Sequence, residues 1–283
     1  MSITGVSSPL DYAIFAAPDF DAKLVERILP TQAHFEISIK SSDESRMVVQ
    51  LLVDVIKNEY LEVREKVPSV LPASCPQRHI NYDGSFCLGW LGVMDKKITN
   101  QEAASDWWKT LYAYLIRQRR ASYIRKWPGD EWAHGHKAAA SQCLAEEAAK
   151  NLGDDFVNDL KLNKFRVEKI EARKRPSALL KVFRNNDHIY SIWQDFKCLT
   201  NSRVPCLCKP AGNSRPKKIK SCGGHKQSLI DLGIHLHLKE VEETKFLKAY
   251  CSLKPCCGTL DECPVKILSD SETQTSNGKF NQI

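Results

Sequence analysis

Eleven cysteines divide this 283-residue chain into unlike parts: Cys75, Cys87 and Cys143 lie in its first half, and eight more crowd between Cys198 and Cys263. Thiols at that density need a reason. Residues 1–16 lack a basic start followed by a long apolar stretch, so no secretory signal is expected and the chain is placed in the cytoplasm. Reducing compartments keep thiols free, which disfavours a disulfide framework and leaves metal binding or thiol chemistry. Apolar residues make up 42% of the chain, enough for a proper core. No run of ~18 uncharged apolar residues occurs, so no membrane span is expected. The formal net charge of +7 has a local source, because the stretch from Lys197 to His225 holds seven Lys/Arg and no Asp/Glu. Such a cluster points to one basic face rather than to a chain that binds polyanions along its length.

The first half reads as an α+β domain with an antiparallel meander sheet and flanking helices. Phe20, Leu24, Val25, Ile28 and Leu29 share one helical face, with Asp19 before them and Pro30 after, which predicts a short helix over 20–29. Phe35, Ile37 and Ile39 alternate with polar residues, and Met47, Val49, Leu51, Val53 and Val55 alternate again. A third extended run, Tyr60 to Val67, follows the polar turn Lys57-Asn58-Glu59, completing a meander with one buried face. Pro68 to Trp90 then shows little periodicity, and an irregular segment of that length inside a compact domain is often functional. A helix is predicted from Asn100 to Tyr123 with Ala104, Trp107, Trp108, Leu111, Tyr112, Leu115 and Ile116 as its apolar stripe. A second runs from Lys137 to Leu152 and stops at Gly153. Beyond it come a charged connector, Asp159 to Arg175, and apolar runs between Leu179 and Phe196 that read as strands. The chain thus divides into a domain over 1–152, a smaller Cys-rich domain over 153–268 and a polar, disordered tail over 269–283. The first domain is expected to be separable from the second.

The words that carry chemistry are His79-Ile80-Asn81-Tyr82-Asp83-Gly84-Ser85-Phe86-Cys87-Leu88. They resemble the active-site region of ubiquitin-conjugating enzymes, in which a His-Pro-Asn triplet precedes an irregular loop and then Gly-x-(Ile/Val)-Cys-Leu. The order of parts is also similar: short helix, meander, proline-rich loop, Cys, helices. Ile80 stands where the triplet has proline, the spacer from Asn81 to Cys87 is shorter by two residues, and Gly89 replaces a common aspartate. These departures, together with Trp132-Ala133-His134-Gly135, resemble the divergent bacterial relatives encoded in operons that attach ubiquitin-like proteins, often in antiviral defence. The resemblance implies a conjugating transferase in which Cys87 accepts a ubiquitin-like modifier from an activating enzyme as a thioester. The modifier then passes to an amine, such as a lysine on a protein target, and the transfer needs no cofactor. Cysteine suits both steps, since its thiolate attacks well and leaves well. Asn81 is the candidate donor to the oxyanion of the tetrahedral intermediate, or a plain turn residue. His79 is expected to hydrogen-bond loop backbone rather than to act as a base, and His134 and His136 to make loop contacts near the site.

The second half suggests structural zinc, which prefers tetrahedral sulfur and nitrogen ligands. Cys198, Cys206, Cys208, Cys222 and His225 form one candidate group, and Cys251, Cys256, Cys257 and Cys263 another. Neither shows paired Cys-x-x-Cys knuckles, and one ion could draw ligands from both. Cys75 and Cys143 read as structural. His235 and His237 fall on one face of a strand-like run, Ile234 to Leu238, as solvated residues. The basic run Arg215 to Lys220 allows nucleic-acid binding but lacks interleaved aromatics for stacking. A zinc-dependent nucleic-acid-binding protein, or a scaffold with an inactive conjugating-enzyme fold, is therefore the rival reading.

Overall fold

The computed structural model describes residues 8–40, 45–89, 97–129, 132–171, 177–208 and 216–268; the expected tail and Arg215 lie outside them. Among those residues it holds two antiparallel sheets, five α-helices of eight residues or more and a short helical stretch at 264–268. Two compact units result, one formed by Met1–Asp130 with Lys248–Ile283 and the other by Glu131–Leu247. The first break thus falls after Asp130 rather than at 152, and the chain's last segment rejoins the unit that contains Cys87. A fragment ending at Leu152 would lack that segment.

In the first unit, α1 (Pro9–Ala16) begins with a capping box, in which the Ser8 hydroxyl accepts from the Asp11 amide and the Asp11 carboxylate accepts from Ser8. Strands β1 (Ala22–Leu29), β2 (Gln32–Lys40), β3 (Arg46–Ile56) and β4 (Tyr60–Glu65) follow in meander order. Lys57 and Asn58 both take positive φ, the geometry that closes a tight hairpin between β3 and β4. Phe35, Ile37, Ile39, Val49, Leu51 and Val53 are fully buried on the inner face. Helix α2 (Gln101–Ile124) supplies Trp108, whose ring meets Phe35 edge-on at 5.3 Å and whose indole N–H donates to Ala13 O at 2.9 Å.

The helix expected over 20–29 is instead the edge strand β1. Its pairing with β2 slips between Leu24 and Glu26 and again between Arg27 and Leu29. Each slip interrupts the two-residue alternation and leaves a spacing that imitates a helical face. Val25, Ile28 and Leu29 are exposed. On α2, Ile116 is also exposed, while the polar Gln118 and Arg119 are buried.

The second unit is not loop-rich. Helices α3 (His136–Leu152) and α4 (Asp154–Lys161) precede strands β5 (Phe165–Ile170), β6 (Leu179–Arg184), β7 (Asp187–Trp193) and β8 (Cys198–Leu199), again in sequential order. Within the charged connector, residues 159–161 end α4 and Phe165–Ile170 form β5, while 172–175 lie outside the described residues. Helix α5 (His225–Cys251) completes the core, in which Phe156, Leu180, Val182, Ile192, Leu229, Ile230 and Leu232 are buried together. At Gly233 an added Cβ would lie 2.5 Å from Ile192 Cδ1 and 2.8 Å from Val182 Cγ2, so glycine sets how closely α5 approaches the sheet. His235 and His237 belong to this helix, not to a strand. No helix among the described residues is long and apolar enough to cross a membrane.

Candidate functional site

The loop from β4 to Cys87 has little regular structure, so its backbone must be satisfied by other groups. Glu65, only 5% exposed, accepts hydrogen bonds from the Ser69 amide and hydroxyl and from the amides of Val70 and Leu71. Arg78 is 2% exposed and reaches α2: its Nε donates to Gln118 Oε1 and its Nη2 to Gln118 O, both at 2.8 Å, and to Ser122 Oγ at 3.0 Å. Gln118 returns a bond from Nε2 to Arg78 O at 2.5 Å. The Tyr114 hydroxyl donates to Arg78 O and His79 O at 3.2 and 3.1 Å. Burial pushes that hydroxyl well above its ordinary pKa, so it stays a donor. Tyr114, Gln118 and Ser122 are four residues apart and line one face of the helix. The end of α2 therefore clamps the loop.

Cys87 sits at the end of this loop, half-buried, with its amide bonded to His79 O at 2.8 Å and its Sγ 3.6 Å from Gly89 O. His79 takes a left-handed φ of 54° and its ring lies 5.1 Å from that of Trp127. Asn81 is exposed, and its side-chain amide donates to Ser85 Oγ at 3.0 Å while its backbone amide meets Ser85 O. Ser85 in turn donates to Asp83 Oδ1 from its hydroxyl at 2.7 Å and its amide at 3.0 Å. Burial raises the Asp83 pKa, but these bonds and nearby Arg64 outweigh it and hold the carboxyl below its ordinary value. The loop is a fixed ledge with the thiol at its edge.

In the second unit, Cys206, Cys208, Cys222 and His225 bring one ligand atom each to within 4.8 Å of the others. Cys206 Sγ and Cys222 Sγ lie 3.5 and 3.3 Å from His225 Nδ1, and Cys208 Sγ lies 3.6 Å from Cys222 Sγ. Zinc–sulfur bonds of ~2.3 Å at tetrahedral angles require sulfurs ~3.8 Å apart, so the spacing fits a bound ion. Burial, with the neighbouring Cys206 and Cys222 thiols, pushes Cys208 up to about 12, a crowding that a cation would relieve.

In comparison with family models, residues 25–129 match a prokaryotic E2 domain, and residues 133–265 match a cysteine-rich domain that lies C-terminal to E2 domains, a match that runs past the second unit into the segment after Lys248. The two matches are those of a bacterial E2-like family. No curated protein and no solved structure matches it. Proteins of the E2 type work with a modifier and an activating enzyme, and the Cys87 ledge lies inside the matched E2 domain.

Within the cysteine-rich match, Cys198 is in β8 and outside the Cys206 group, and Cys251 ends α5 with its Sγ 3.6 Å from Val265 O. Cys257 and Cys263 instead lie near Cys75 from the loop before Cys87, and Cys256 lies near Cys263. The neighbouring Cys257 thiol, with burial, pushes the Cys75 pKa up, while Cys75 and Thr259 outweigh burial and draw that of Cys257 down to about 5. His134 and His136 lie in the second unit. The His134 ring is beside Phe246 at 6.3 Å, and burial, with Lys239 nearby, lowers its pKa to about 4. Sequence reading passed over Glu65, Arg78, Tyr114 and Gln118. The available signal was a Tyr114-x₃-Gln118-x₃-Ser122 face on a helix otherwise read for its apolar residues.

Proposed function

We propose that Cys87 carries a ubiquitin-like modifier as a thioester between an activating enzyme and an amine. The Cys87 thiolate attacks the carbonyl carbon of the modifier's thioester on the activating enzyme. A new carbon–sulfur bond forms as the enzyme's own cysteine leaves as thiolate. The nitrogen of a target lysine then attacks the same carbon, Cys87 departs as thiolate, and the amine gives its proton to solvent. Nucleotide is spent upstream, and no cofactor enters either step. The observation that carries this reading is a half-exposed thiol at the edge of a hydrogen-bonded ledge within the prokaryotic E2 match.

Asn81 supports the ledge through Ser85, and its amide becomes an oxyanion donor when the substrate arrives. His79 acts through its backbone carbonyl. The Cys206, Cys208, Cys222 and His225 group holds structural zinc. The setting is the bacterial cytoplasm and, by resemblance, a conjugation operon of antiviral defence. Incubation with activating enzyme, modifier and nucleotide, followed by a non-reducing gel, tests the central step. Wild type forms a thiol-sensitive adduct, Cys87→Ser a slower and thiol-resistant one, and Cys87→Ala none. A thiol-sensitive adduct persisting in Cys87→Ala would sink the proposal.

A further inference from the structure

A buried charge without a counter-charge is costly, because neutral partners satisfy its hydrogen bonds but leave the charge itself uncompensated. Arg78 is such a group. It is 2% exposed, and its guanidinium donates to the neutral Gln118 and Ser122. Among the described residues no carboxylate pairs with it. Burial pushes its pKa down, yet a guanidinium keeps its proton in a protein. Its hydrogen bonds use Nε and Nη2, so both N–H groups of Nη1 are left over.

Arg78 borders an open hollow of about 360 Å³ within the first unit. Arg125 lines the same hollow from the end of α2, where its left-handed φ of 52° turns the chain out of the helix. Its Nε donates to Asp261 Oδ1 at 2.6 Å and its Nη2 to Gly258 O at 3.1 Å, which again leaves Nη1 without a bond. The Ser122 hydroxyl, also in the lining, is spent on Gln118 O at 3.1 Å. The donors left are therefore the two Nη1 groups. No carboxylate is among the lining residues, and Leu71 and Pro72 supply apolar surface. Small-molecule sites occupy roughly 300–1,000 Å³ and combine apolar lining with a few placed polar groups, so the hollow falls at the lower end of that range.

We propose that the hollow lined by Arg78 and Arg125 binds a small phosphate ester. The phosphate takes the Nη1 donors of both arginines, and the organic part of the ligand lies against Leu71 and Pro72. The terminal oxygens of a phosphate ester are arranged as a pyramid, so they can meet two guanidinium forks that come from different elements, the loop before Cys87 and the end of α2. A carboxylate holds its two oxygens in one plane and is matched by a single fork. The phosphate also brings the negative charge that Arg78 lacks. Arg125 already has Asp261 as its counter-charge, so it contributes donors rather than net charge.

Calorimetric titration of the full-length protein at low salt tests this, with inorganic phosphate, ribose 5-phosphate, adenosine 5′-monophosphate and adenosine as probes. Both esters are expected to bind, more tightly than inorganic phosphate, which has no organic part, and adenosine is expected not to bind. Inorganic phosphate bound as tightly as the esters would assign the hollow to the free ion and overturn the ester. Adenosine bound as tightly as its monophosphate, or no binding of any phosphate probe, overturns the site altogether. Arg125→Gln should weaken ester binding ~10-fold or more, the loss of one charge-assisted fork. Asp261→Asn weakens the same tie to the C-terminal segment but leaves Arg125 in place without its counter-charge, so it should bind at least as tightly as wild type. Unchanged binding in Arg125→Gln, or equal weakening in the two variants, refutes the proposal. Should Arg125→Gln fail to fold, Asp261→Asn decides by itself, and weaker binding than wild type refutes the site. These titrations involve no chemistry at Cys87, so this proposal and the thioester proposal fail separately.

Discussion

The loop before Cys87 and the loop before α5 are both irregular, yet they are held by different means. The first is held by polar side chains that complete each other. Glu65 collects four hydrogen bonds from residues 69–71, and Arg78 and Gln118 exchange three. The second is held by a short backbone ladder, Cys206 N to Lys217 O and Ile219 N to Val204 O, and by four ligand atoms drawn to one point. A completed polar network is stable by itself. Three thiols and an imidazole drawn together are instead a set of ligand atoms that could hold a metal ion. The candidate nucleophile therefore rests on a ledge held by side-chain hydrogen bonds, and the cysteine-rich unit on a loop whose ligand cluster could hold a metal ion.

The largest expected effect breaks the second loop alone. Structural zinc contributes on the order of 10 kcal/mol of binding free energy that is also folding free energy. Cys222→Ser should abolish metal binding at the Cys206 group and expose Cys206 and Cys208 to alkylation. The reactivity of Cys87 with the same reagent should not change. Next, Arg78→Ala removes a buried charge and three bonds, leaving Gln118 half-satisfied at 0% exposure. A cost of about 3 kcal/mol is expected, measured by denaturant unfolding, with modifier loading lost in proportion. A variant as stable as wild type would show that the ledge does not depend on this clamp.

Asn81→Ala sharpens the distinction between ledge and chemistry. The variant loses an exposed bond to Ser85, so stability should change little, but discharge of the loaded modifier to free lysine should fall ~10²-fold. Loading should be retained, and unchanged single-turnover discharge would reject a role for Asn81 in transfer. The smallest effect is on pH dependence. Burial raises the folded Asp83 pKa, but its bonds from Ser85 hold it below the ordinary aspartate value, so the Asp83–Ser85–Asn81 network is fully present above that ordinary value and is lost only as pH falls through the depressed one. Titration of the Ser85 amide resonance should show a midpoint below that of an ordinary aspartate. A midpoint above it would mean the carboxylate is not held by Ser85.

The inner faces of β2 and β3 were legible because Phe35, Ile37, Ile39, Val49, Leu51 and Val53 alternate without interruption. β1 was not, because two slips in its pairing erase the alternation. α5 was misread around His235 because Leu229, Ile230, Leu232, Ile234 and Leu236 place apolar groups on several sides, which hides the helical period. The thiol motif at Cys87 was visible as a word, and Cys206, Cys208, Cys222 and His225 as a local cluster. The supports of the ledge were hidden for a physical reason. Arg78, Tyr114 and Gln118 are polar residues buried by one another, and hydrophobic patterning is blind to such pairs. Cys75 meets Cys257 from the far end of the sequence, a closeness that no local pattern records.

The central claim concerns one thiol among eleven, and Cys257, with its pKa drawn down to about 5, is a chemically credible competitor for it. The direct measurement is mass-spectrometric mapping of the modifier's attachment point. It uses full-length protein trapped after one turnover with activating enzyme and nucleotide, digested without reductant. The account predicts a single modifier whose C-terminal carbonyl is joined to Cys87. A modifier joined to Cys257 or to any cysteine of the second unit would contradict it.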